Sequence, residues 1–101
     1  MPRFAPIVDE RDEAEKAAVA ALVFLTERPD DLARFLSISG IVASDIRRSA
    51  ADPGFLSGVL DYLLSDEPLL VAFAAGHEMQ PERVARLRAA FDDGRPVETW
   101  P

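Results

Sequence analysis

Apolar residues recur at helical spacing along this chain, in six blocks divided by proline, glycine and acidic residues. The first block runs from Asp9 or Asp12 to Glu27. Its opening acids suit the positive end of a helix dipole, and Ala14, Ala17, Ala18, Ala21, Leu22 and Leu25 form one apolar stripe. Pro29 ends it, because the proline ring disfavours helical geometry at Arg28. Asp30 is the expected N-cap of a second block that carries Leu32, Phe35 and Leu36 on one face and closes at Gly40 in the left-handed conformation. A short third block is capped by Ser44, turns Ile46 inward and stops at Asp52-Pro53. That pair also opens the fourth block, with aspartate at the N-cap and proline at the first helical position.

The fourth block is apolar nearly all round. Phe55, Leu56, Val59, Leu60 and Leu63 are widened by Tyr62 and Leu64, leaving only Ser57, Gly58 and Asp61 as a small or polar strip. Such a helix belongs at the centre of a fold, and Gly58 inside it predicts a close helix crossing. The fifth block, Leu69–Ala75, is short enough to be a buried strand. Its leading Pro68 and three alanines favour a helix ending at Gly76. The sixth starts with Pro81, carries Val84, Leu87 and Phe91 on one side and Arg83, Arg86 and Arg88 on the other, and stops at Gly94. The pattern predicts a single all-α domain over residues 9–94, a compact bundle of five to six short helices. Its centre is the hairpin 55–75, wrapped by the first, second and sixth blocks. Residues 1–8 read as a flexible arm and 95–101 as an irregular tail.

Composition narrows the chemistry. With 101 residues, 49% of them apolar, the chain can bury one core, and it is too apolar for intrinsic disorder. There is no cysteine, which excludes disulfides, thiol catalysis and cysteine metal sites. Eleven basic residues against eighteen acidic ones give a net charge of −7, opposite to what broad phosphate-backbone binding requires. The apolar run 17–25 follows acid rather than base, unlike a secretory signal. The stretch 55–75 is broken by Asp61, Asp66, Glu67 and Pro68, unlike a membrane span. The expectation is a cytoplasmic protein with no membrane contact.

Few residues offer reactive chemistry. His77 is the single histidine; it follows Gly76, where an imidazole meets the last carbonyls of a helix. A metal or catalytic site would need further ligands or a nucleophile converging on it. The acidic run 9–15 lacks the glycine of a calcium loop, and no glycine-rich phosphate loop occurs. The expectation is therefore no enzymatic activity, no cofactor, no metal and no small-molecule substrate.

Two stretches suggest binding instead. Leu36, Gly40-Ile41 and Ile46 with Arg47-Arg48 have the skeleton of a DNA-reading helix–turn–helix, with Arg47 and Arg48 as contacts. The acidic Asp45 at the start of that second helix, and the overall charge, weigh against it. The nine-residue run 17–25 is apolar beyond what one buried face can use. Val19, Val23 and Phe24 then form an interaction surface for a protein partner or a second copy, unless the arm folds Phe4, Ile7 and Val8 over them.

Taken together, Ala21–Leu25, Leu32–Leu36, Gly40, Asp45–Arg47, Asp52–Leu56, Val59–Leu64, Asp66-Glu67, Leu69–Phe73, Pro81-Glu82 and Val84–Arg86 resemble a family of short, mostly alphaproteobacterial proteins. It is grouped as domain of unknown function 3572. The resemblance spans about three-quarters of the chain and implies a small cytoplasmic all-helical domain. It brings no assigned activity and no functional residues to carry over. The resulting expectation is a non-enzymatic protein-binding or adaptor module, open to self-association, with a small helix–turn–helix DNA regulator as the alternative.

Overall fold

Helix boundaries follow the punctuation of the chain in the computed structural model, which describes residues 10–92. The expected arm 1–8, the stop at Gly94 and the tail 95–101 lie outside the described residues, as does any cover by Phe4, Ile7 and Val8. Helix α1 (Glu10–Thr26) opens on Glu10, Asp12 and Glu13 at its positive dipole end. Arg28 is non-helical at φ −131° and ψ 84°, as the proline after it favours, and α2 (Pro29–Ser39) starts at Pro29 itself. Asp30 is thus not the N-cap. Proline's fixed φ suits the first helical position, so the cap moves two residues earlier, to Arg28, and Asp30 and Asp31 sit within the first turn. Gly40 closes α2 with φ 76° and donates its N–H to the Leu36 carbonyl, as expected.

The third block is weaker than its reading. Ser44 caps nothing: it lies inside a 3₁₀ turn (Ala43–Asp45) that leads directly into the one-turn α3 (Ile46–Ser49). Helices α4 (Pro53–Leu64) and α5 (Glu67–Gly76) are properly capped. The Asp52 carboxylate accepts from the Gly54 N–H at 2.9 Å, and that of Asp66 from the Leu69 N–H at 3.2 Å. Gly76 is the last residue of α5 and does not make the left-handed turn. That conformation falls two residues later, on Glu78 at φ 55°. There Glu78 N–H bonds the Ala75 carbonyl and Met79 N–H the Ala74 carbonyl, the double bond of a Schellman closure. The turn brings Met79 against the core before α6 (Pro81–Ala90) begins.

Six α-helices and no strand occur among the described residues, and none of the helices is long and apolar enough to cross a membrane. The core differs from expectation in its centre. Helix α4 is buried as predicted, through Phe55, Leu56, Val59, Leu60, Tyr62 and Leu63. Its main neighbours, however, are α1 and α6, which also pack on each other, and α5 is peripheral to that trio. The buried alanines of α1, Ala14, Ala18 and Ala21, explain the exchange: a side without bulk lets two other helices approach closely. Helix α2 is anchored by Phe35, whose ring lies 5.6 Å from Phe55 and 5.5 Å from Tyr62. Gly58 does not mark a close crossing. A Cβ there would meet nothing within 4 Å, and the residue lies beside an open hollow between α2 and α4.

Candidate interaction surface

The outer side of α1 is apolar where a surface helix is normally polar. Val19 and Val23 are 42% and 53% exposed and stand one turn apart. Val19 borders a groove of about 450 Å³ shared with Asp12, Glu15, Lys16, Ala50, Pro53 and Leu56. On the other flank, two hollows of about 290 Å³ each share Ala20 and His77. One is lined by Val23, Phe24 and Glu27, the other by Ala17, Met79 and Leu87 among others. The two valines therefore form a ridge with a groove on either side, the relief that a docking helix needs.

Phe24 is separated from the valines. It is half-buried, meets Phe73 edge-on at 5.5 Å, and carries the Arg28 guanidinium over its ring at 4.6 Å. It forms a wall of the groove rather than part of the ridge. His77 closes that wall: its Nδ1 lies 3.1 Å from the Phe73 carbonyl and its ring 4.4 Å from the Phe73 ring. The imidazole thus serves the end of α5, as its place after Gly76 suggested. Among the described residues, no three histidine or acidic side chains are grouped to hold a metal ion.

Ion pairs tie α6 to both of its main neighbours. Arg83 on α6 pairs with Glu13 on α1, and Arg88 bonds Asp61 on α4 at 2.6 Å and Asp92 at 3.3 Å. The hydrogen bond that it donates to Asp61 holds the Arg88 guanidinium above its already high ordinary pKa, so Arg88 stays charged at any working pH.

Arg47 and Arg48 sit on the one-turn α3, both exposed. Arg48 lies 3.9 Å from Asp45, and Leu36, Ile41 and Ile46 are half-buried against the core. The hollow between α2 and α4 was not anticipated. Phe35, Gly58 and Tyr62 line it, and Ile38, 70% exposed, stands on its rim. The visible signal was Ile38 itself, a β-branched residue one turn past Phe35 with no inward role assigned.

The family model described as "Protein of unknown function (DUF3572)" matches residues 11–94, from the first turn of α1 to just past α6. The chain belongs to the DUF3572 family. No curated protein and no solved structure matches it. The DUF3572 description assigns no activity, so the function of this member is argued from its own surface.

Proposed function

We propose that this domain is a non-enzymatic protein-binding module whose docking face is the outer side of α1. The observation that carries this reading is the exposed Val19–Val23 ridge between two grooves, one walled by Val23 and Phe24 and the other by Pro53 and Leu56 with Asp12, Glu15 and Lys16 at its edge. Val19 and Val23 are already about half covered, so full burial adds only part of the roughly 1.5–3 kcal/mol that such a side chain yields, and the groove walls supply the remaining area that a transient complex needs. Phe24 supports the face from beneath, by holding the groove wall against Phe73. The DNA-binding alternative gains nothing from the geometry: a one-turn helix preceded by Asp45 is too short to lie along a groove and read bases.

Affinity purification with the full chain and with Val23→Glu tests the reading. A protein captured by the first and lost by the second, at unchanged melting temperature, is the expected result. Identical capture by both would place binding elsewhere.

A further inference from the structure

The occupant of this face is written in its charges. Lys16, Ala20, Val23 and Glu27 follow one another at spacings of four, three and four residues, the step of a helical seam. At 100° per residue they fall within a sector of about 60°. The grooves place them together as well, since Lys16 and Ala20 line one hollow and Ala20, Val23 and Glu27 the next. Glu13, one turn before Lys16 on the same side, is taken up by Arg83, so the seam left for a partner has a cation at its start, two apolar residues at its middle and an anion at its end. That order is complementary to itself when reversed.

We propose that the docking face of α1 takes a second copy of the same face, with the two helices antiparallel. The inference rests on the protein-binding reading above and names the partner. Lys16 and Glu27 are separated by roughly 16 Å along a helix, and a two-fold axis midway between them sets each Lys16 against Glu27 of the other copy. The same axis sets Ala20 against Val23, a small residue facing a larger one, so the backbones can approach. A parallel pair would oppose lysine to lysine and glutamate to glutamate. Such an isologous arrangement uses each contact twice. Lys16 is available for it: its bond to Asp12, 3.3 Å long, joins two exposed side chains one turn apart and holds weakly. The net charge of −7 on each copy acts mostly at distances where salt screens it, whereas the seam pairs are in contact.

Charge exchange at the seam tests this, by analytical ultracentrifugation of the full chain between about 10 and 500 µM. The wild type should pass from monomer to dimer over that range. Lys16→Glu and Glu27→Lys should each weaken the dimer about tenfold, because two attractions become two repulsions. An equimolar mixture of these two variants should associate at least as well as wild type, since an all-acidic seam then meets an all-basic one. Circular dichroism confirms that each variant keeps its helices. A wild type that stays monomeric, single variants that dimerise unchanged, or a mixture no tighter than its components would each overturn the inference. The two readings fail differently. A monomer whose capture of another protein is abolished by Val23→Glu overturns self-pairing and leaves the docking face standing. A dimer that survives Val23→Glu overturns self-pairing through this face, and identical capture of another protein by wild type and Val23→Glu overturns the docking face itself.

Discussion

Glu78 is held in a conformation that costs an L-residue about 1–2 kcal/mol, because its Cβ crowds the following carbonyl. Replacing it by glycine removes that cost and adds a smaller loss of unfolded-chain entropy, so Glu78→Gly should raise stability by up to about 1 kcal/mol. Urea melts would show it as a higher midpoint at constant slope. A second residue is out of balance: the Tyr62 hydroxyl is buried with no hydrogen-bond partner among the described residues. Such a group carries its desolvation cost uncompensated, and Tyr62→Phe should be neutral or stabilising by about 1 kcal/mol in the same melts. A loss above that size would mean the hydroxyl finds a partner in solution. Local chemistry made much of this scale legible in advance. Asp52-Pro53 and Gly40 act where the spacing put them, because a cap needs only its own few residues. Glu78 was hidden, since the burial of Met79, a tertiary term, decides which residue takes the left-handed turn.

Among the elements, α4 is at the core as its all-round apolar pattern required, and Leu60 is fully buried within it. Leu60→Ala should cost about 2–5 kcal/mol, through lost burial and the cavity left behind. Calorimetric melts showing under about 1 kcal/mol would displace α4 from that role. The importance of α1 was harder to read, because a pattern of alanines has a weak hydrophobic signal while its effect on packing is large. It permits α4 and α6 to close in, and it makes the helix intolerant of bulk. Ala18→Leu, at a position with no exposure, should therefore destabilise by about 1–3 kcal/mol despite adding apolar surface. The one-turn α3 marks the opposite error at Ser44 alone, which matched a capping pattern but lies inside the 3₁₀ turn, while Ile46 does pack half-buried against the core.

For the whole molecule, the fold class follows from periodicity, since each block must hide one stripe against the others. The candidate surface was only half legible. A run of nine apolar residues announces that α1 has more than one apolar side, but not that Phe24 turns to Phe73 while Val19 and Val23 remain outside. The pairing of α1 with α6 has a consequence for how the chain is made. Glu13 and Arg83 are separated by 70 positions, so the pairing of α1 with α6 becomes available only after that many further residues have been made. Until Val84 and Leu87 have left the ribosome, the inner side of α1 lacks one of its two main neighbours. At roughly 5–20 residues per second that interval lasts several seconds, far longer than helices take to form. A released chain truncated after Gln80 should accordingly be cut by protease within α1, and protection should first appear when the truncation falls at Leu87 or later.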